Sequence, residues 1–398
     1  MQPNRFAVSG RWEGEFDENA LQQWAGHLRA RLQSPEVSLG LVFMSPRFFE
    51  DASKILEVLR VHAGIPLLAG CSSTGLIADD REMENSRGLV LGLYALPEAE
   101  LRATHITEEQ VEQAGGPAFW HESTGVTPEQ VNGWLVFADP FHLDVESWLK
   151  GWEEAYHGKP TLGGLASGDY TAQRTQVYLN GEVFEEGGVA IAVGGNVELT
   201  SAISQGCTPI GDTCTITKAD GNFIHEIGNR PAYQLLANTF NQLSPDEQRK
   251  TQGNLCIGLV INEYSEDFHR GDFLIRNILG ADPVTGSLAV GAFPRQGQTL
   301  QFQRRDSAAA HEDMDVMLGR LASRLGNRRV YGGCLCSCNG RGLRLFKQPN
   351  HDAQMVREKL GPVDLTGFFC NGELGPVGDR NFLHSFTASL ALFTEKKS

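Results

Sequence analysis

One spacing constrains what this chain can fold into more than any other feature. Leu41-Val-Phe and Leu135-Val-Phe stand 135 − 41 = 94 residues apart. The same offset relates Pro46 to Pro140, Gly64 to Gly158, Pro66 to Pro160, Leu68 to Leu162, Gly70 to Gly164 and Ser73 to Ser167. So many identities at one offset mark an internal duplication, and the repeated unit must fold in the same way twice. Leu39–Met44 is a near-continuous apolar run, as expected of a strand buried on both faces. Ser45-Pro46 suits the start of a helix, Gly64 ends it, and Pro66–Gly70 is a second buried strand. The unit is therefore strand, helix, strand, closed by a glycine-serine turn, and it implies a parallel strand pair.

A fainter third copy lies near the C-terminus. Gly361, Leu365, Gly367 and Gly372 follow Gly64, Leu68, Gly70 and Gly75 by 297 residues. This puts Cys370-Asn-Gly372 where Ser73-Thr-Gly75 stands, so three comparable turns can converge. The third copy sits within Tyr331 to Pro376, a stretch with two glycine-rich turns, at Cys338-Asn-Gly-Arg-Gly342 and at Cys370-Asn-Gly-Glu373. Arg341 belongs to one turn and Glu373 to the other. If the strands before them are neighbours, a cation, a carboxylate and free backbone N–H groups face one spot.

Elsewhere the pattern is antiparallel. Asn180-Gly181 and Asp220-Gly221, each between alternating apolar residues, predict hairpin turns. Strands are expected at Arg174–Leu179, Val189–Val193, Thr213–Thr217, Phe223–Glu226, Leu255–Asn262, Phe273–Ile278, Ser287–Gly291 and Leu300–Gln303. Helices are expected after Asp17, with Leu21, Trp24, Leu28 and Leu32 on one stripe, from Arg230-Pro231 to Leu243, and over Ala308–Leu325. The polar Ser244–Lys250 stretch reads as a boundary. The fold class is α/β, two-lobed, with mixed and largely antiparallel sheets layered with outer helices.

Charge narrows the partners. Formal charge is 34 − 49 = −15, with no local basic run, which argues against nucleic acid and against anionic membrane surfaces. No apolar run approaches the roughly 20 residues of a membrane span, and the first ten residues lack a signal-peptide pattern. The expectation is a cytoplasmic protein whose eight cysteines are reduced and pack as small apolar residues.

Cys338-Asn-Gly-Arg-Gly342, Gly367 through Gly-Glu-Leu-Gly-Pro376 and Leu383-His-Ser-Phe-Thr387 resemble the C-terminal half of a FIST domain. Gly70-Cys-Ser-Ser-Thr-Gly75, Gly163-Gly-Leu-Ala-Ser-Gly168, Gln205–Gly211 and Arg230-Pro-Ala232 resemble its N-terminal half and the junction. The resemblance runs from about Val37 onward. It implies an N-terminal helical extension over residues 1–36, a FIST N-terminal domain over 37–229 with the repeat at 37–100 and 131–195, and a FIST C-terminal domain over 230–398. It also implies a sensory module of signal transduction, with small molecules such as amino acids as ligands.

Several chemistries can be weighed against that. Cys334, Cys336 and Cys338 alternate along one strand and lack the Cys-x-x-Cys turn and histidine partners of a tetrahedral metal site. No metal or other cofactor is expected. Gly70–Gly75 lacks the Gly-x-Ser-x-Gly spacing of a nucleophile elbow, and no phosphate-binding glycine motif is present. Glu263, Asp267 and His269 read as a solvated loop. The rival from another class is a hydrolase or transferase with Cys338 or Cys71 as nucleophile. The reading preferred here is a non-enzymatic sensor that binds a small polar metabolite and passes occupancy to a signalling protein. Its expected contacts are Ser72, Ser73, Thr74, Ser167, Cys338, Asn339, Arg341, Phe369, Asn371 and Glu373. An amino-acid ligand would set its carboxylate on Arg341 and its ammonium on Glu373, with Phe369 as an apolar wall. The alternative for these two charges is an exposed salt bridge worth about 0–1 kcal/mol.

Overall fold

The computed structural model describes residues 6–85, 87–265 and 267–397. The chain forms two compact units, neither of them a continuous stretch. One comprises Met1–Ile203, Asp315–Leu383 and Thr387–Ser398, the other Ser204–Met314 and His384–Phe386. The sheets are mixed and helices accompany them, as the sequence predicts.

The first unit is built from three six-stranded sheets, and each holds one parallel pair at its third and fourth places. In the first sheet the pair is Leu39–Met44 with Leu68–Ser72, joined through the helix Ala52–His62. In the second it is Gly133–Ala138 with Thr161–Leu165, joined through Val145–Ala155. In the third it is Val330–Cys338 with Leu365–Cys370, and the connection includes the helix His351–Leu360. The faint third copy is thus a full strand-helix-strand unit. A residue buried on both faces of a central strand is apolar whichever way it points, which is why the runs carry no alternation.

The backbone explains the repeated glycines. A Cβ on Gly70 would lie 1.7 Å from the carbonyl oxygen of Val42, one on Gly163 1.9 Å from that of Val136, and one on Gly367 2.0 Å from that of Leu335. Each glycine is the register partner of the residue it would strike. In the second copy of the repeat the equivalent of Gly70 is therefore Gly163, not the Gly164 given by the 94-residue offset. The first strands superpose in register, Leu39–Met44 on Gly133–Ala138, and the slip of one residue enters before the second strand.

After its second strand each strand-helix-strand repeat hands the chain to another sheet. Gly75–Ala78 pairs with Leu365–Cys370, Glu373–Val377 pairs with Thr161–Leu165, and Val177–Leu179 pairs with Leu68–Ser72. The exchange is cyclic, so the three turns that follow the second strands all serve as crossovers. Beneath them lies one apolar cluster drawn from all three sheets. At its centre Phe368 stacks on Phe43 at 4.5 Å between ring centroids, and Phe137 meets both rings edge-on.

The second unit carries a seven-stranded sheet with the helices Ala232–Gln242 and Pro245–Thr251. Its core gathers Ile216, Ile257, Leu288, Leu300 and Phe302 around Leu236. The Asn180-Gly181 hairpin has both residues at positive φ, as a two-residue turn of that twist requires.

Three expectations are corrected. The region 1–36 is not helical throughout: besides the Asp17-capped helix Glu18–Arg31 it holds the strand Ala7–Glu13, antiparallel to Gly88–Tyr94. Ser244–Lys250 is not a boundary: it lies inside the unit that spans Ser204–Met314, and Ser244 caps a helix there by accepting from the Glu247 amide at 3.3 Å. The strand expected at Arg174–Leu179 is reduced to Val177–Leu179, because Thr175 and Gln176 are taken up by side-chain contacts.

Candidate functional site

The three crossovers meet, and their side chains lock one another. Ser73 Oγ and Ser167 Oγ each donate to the carbonyl of Phe369 at 2.8 Å and lie 3.2 Å apart. Ser72 Oγ donates to the Ser167 carbonyl at 3.0 Å and accepts from the Gln176 amide at 3.0 Å. All three serines are fully buried. Their hydroxyls hold the fold together, and a ligand at the surface does not reach them. Ser73 and Ser167 lie on the same side of the molecule, although the backbone equivalent of Ser73 is Ala166: each amide donates to the end of its own first strand, at Met44 and Ala138.

A half-buried polar layer covers these serines. The Thr74 amide donates to Ser167 Oγ at 3.0 Å, and Thr74 Oγ1 donates to Asn339 Oδ1 at 3.4 Å. Asn339 Nδ2 donates to Asn371 Oδ1 at 2.7 Å, and Asn371 Nδ2 to the Ala166 carbonyl at 3.0 Å. The chain of contacts runs through all three crossovers and uses no charged group. Cys338, 8% exposed, borders it, and its Sγ accepts from the Gly340 amide at 3.4 Å. Tyr170, which sequence reasoning missed, is 64% exposed, and its phenol is raised by burial and by the neighbouring Cys338. Its ring meets Phe141 edge-on at 5.5 Å. Its position two residues after the Ser167-Gly168 turn was the available signal.

The charges lie underneath. Arg341 is fully buried and caps the helix Gly342–Phe346. Its Nε and Nη2 donate to the two carboxylate oxygens of Asp352 at 2.7 and 2.8 Å, and its guanidinium lies 5.3 Å from the Phe346 ring centre. Burial pushes the Asp352 carboxyl up, and Arg341 with His351 more than offsets this, holding it well below the usual carboxylate range. Nη1 of Arg341 has no hydrogen-bond partner among the described residues. Glu373, also fully buried, accepts from the Cys370 thiol at 3.1 Å and from the Thr387 amide at 3.0 Å. Burial pushes its carboxyl up to about 8. Glu82, which accepts from the Ala353 amide at 2.9 Å, is likewise pushed up to about 8 by burial and by Asp352.

The exposed Arg341–Glu373 salt bridge is therefore corrected. The partner of Arg341 is Asp352, and the exclusion of water from Glu373 favours its neutral form. The same geometry overturns the direct ligand contacts assigned to both. Phe369 is no open wall either: its buried ring fills the space where a Cβ on Gly75 would come within 2.7 Å. Cys71 lies in the apolar cluster, its thiol pushed well up by burial and by Cys334, so it is poorly suited to attack. Among the described residues no group of three or more metal-ligating side chains is assembled. Nor is any helix among them long and apolar enough to cross a membrane.

Comparison with known proteins adds the following. The FIST N domain matches residues 38–230 and the FIST C domain residues 232–376. An uncharacterized protein of Mycobacterium tuberculosis is 34% identical over 376 residues, covering 94% of this chain and 96% of its own. Another from Mycobacterium bovis is 34% identical over 371 residues, covering 93% and 94%. A solved structure of cyanuric acid hydrolase from A. caulinodans aligns over 98% of this chain and 99% of that one, at 9% identity and a TM-score of 0.37. A likeness that low carries no functional argument.

Proposed function

Because the chain belongs to the FIST family, whose domains are sensory domains of signal transduction, we propose that it binds a small polar metabolite at the three crossovers and relays occupancy to a protein partner. The observation that carries this reading is the Thr74–Asn339–Asn371 chain of hydrogen bonds. Its hydroxyl follows the first sheet's parallel pair, its two amides follow the two strands of the third sheet's pair, and Asn371 reaches the Ala166 carbonyl of the second crossover; all three side chains are only half buried, so a ligand that takes over one of these bonds perturbs a network joining all three crossovers. Amides and a hydroxyl offer both donors and acceptors and favour a neutral hydrogen-bonding surface. An amino acid fits through its polar groups at this layer. Ionic contact with Arg341 is not needed, since Asp352 already satisfies it. The site is non-catalytic in this reading, and eight free cysteines support a reducing, cytoplasmic setting.

A second reading keeps Cys338 as the nucleophile of an enzyme, favoured by its place at the edge of the layer beside Glu373. One experiment separates the two. A thermal-shift screen of the full chain against a metabolite library should yield ligands whose stabilisation is lost in Asn371→Ala and kept in Cys338→Ala. Rapid, selective alkylation of Cys338 by iodoacetamide at pH 7, together with consumption of a library compound, would favour the enzyme instead.

A further inference from the structure

We propose that the first unit carries a second binding site, a polar pocket for a small oxyanion, at the end of the Thr161–Leu165 strand opposite to the crossovers. The pocket has a volume of about 270 Å³, room for roughly nine water molecules at ~30 Å³ each. Lys159, one of its lining residues, stands two positions before that strand, whose five residues span roughly 17 Å. The two sites therefore share a strand without sharing a wall.

The lining is cationic in a chain of net charge −15. It presents Lys159, Arg324 and Arg328 against Glu198 and Asp379. Arg328 and Glu198 pair with each other, so that pair brings no free charge. Arg324 gives Nη2 to the Ser201 carbonyl, which leaves most of its five N–H donors unused. Lys159 Nζ makes no hydrogen bond or ion pair among the described residues. Two cationic residues with donors to spare, both among those that line one cavity, are what a carboxylate or phosphate needs.

The wall that carries Lys159 is rigidly held. Asn381, 7% exposed, donates through Nδ2 to the Lys159 carbonyl at 2.9 Å and accepts from the Thr161 amide at 2.7 Å. It is itself fixed by Glu153 Oε2 at 2.7 Å. On the other part of the lining Arg328 Nη2 donates to the Arg324 carbonyl at 3.3 Å. A pre-set cavity lowers the ordering cost of binding. Asp379 leaves an acceptor for a ligand's own donor, so the class is a hydroxylated acid or a phosphate ester rather than a dense polyanion.

Isothermal titration calorimetry of the full chain at constant ionic strength tests this with two probes, inorganic phosphate and glycolate. At least one should bind saturably at one site per chain, and which one identifies the oxyanion. Lys159→Met breaks no hydrogen bond of the fold and should weaken that binding about tenfold. Asn371→Ala should leave it unchanged. Arg324→Ala should also weaken it, but loses the contact to Ser201, so Lys159→Met decides. The proposal is overturned if neither probe saturates, if Lys159→Met binds like the wild type, or if Asn371→Ala abolishes binding.

Discussion

Glu373 shows how far a residue's chemistry can depart from its letter. An exposed glutamate titrates near 4.5, whereas this one is pushed up to about 8 by burial. Between those values the unfolded chain is ionised and the folded chain keeps its proton. Folding therefore takes up a proton in this window, and stability falls as pH rises. The contribution is fully present below about pH 4.5 and is lost by about pH 8. Glu373→Gln keeps the shape and removes the titration, so its melting temperature should fall less than the wild type's between pH 5 and pH 8. Equal slopes would mean that Glu373 is already ionised in the fold. Sequence reading set Arg341 and Glu373 in two glycine-rich turns that face one spot but gave them the wrong surroundings. Asp352 lies eleven residues after Arg341, in the mostly polar helix His351–Leu360, which sequence reading did not single out. A buried pair of this kind costs about 3–5 kcal/mol to break from one side, against about 0–1 for the exposed bridge weighed as the alternative.

Among the elements, uniform burial made the first strands of the repeat the most legible. The Leu39–Met44 and Gly133–Ala138 strands are buried at every position and read as unbroken apolar runs. Two strands that sequence reading missed have mixed faces: Arg81–Glu84 has no buried residue, and Ala99–Ile106 is half-buried or exposed up to its buried last residue, so propensity was left without a core signal. Strand exchange was invisible for another reason, since a turn that passes a chain between sheets is spelled like one that reverses it. The glycines of the parallel pairs, by contrast, were legible as repeats before their cause was known. A methyl at Gly70, Gly163 or Gly367 would enter the facing carbonyl at 2.0 Å or less, and backbone cannot yield as a side chain can. Each Gly→Ala should cost more than about 3 kcal/mol in urea unfolding, through separation of a central strand pair. Gly26, inside the helix Glu18–Arg31, has nothing within 4 Å of its Cβ position, and Gly26→Ala should stabilise by about 0.5–1 kcal/mol. Like effects at all four positions would show that helix and strand propensity, rather than the close approach, sets the result.

At the scale of the whole molecule, cyclic exchange makes the first unit's three sheets interdependent. Each sheet owns a parallel pair and borrows a neighbour for it from the chain leaving another pair. None can open at its crossover end without disturbing the next. The Phe369 carbonyl concentrates this dependence, because it takes hydroxyls from the first and second crossovers while belonging to the third strand pair. Ser167→Ala removes one of those donors and also the acceptor of the Thr74 amide at 3.0 Å. Leaving a buried donor unmet costs about 1–3 kcal/mol. If the crossovers open as one unit, amide hydrogen exchange should accelerate by a similar factor, roughly 5- to 150-fold, over residues 72–75, 166–168 and 370–373 together. Acceleration confined to 166–168 would mean three independent turns that merely lie side by side. A ligand on the Thr74–Asn339–Asn371 layer could then order one turn, but it would have no common opening to close and no single state to report.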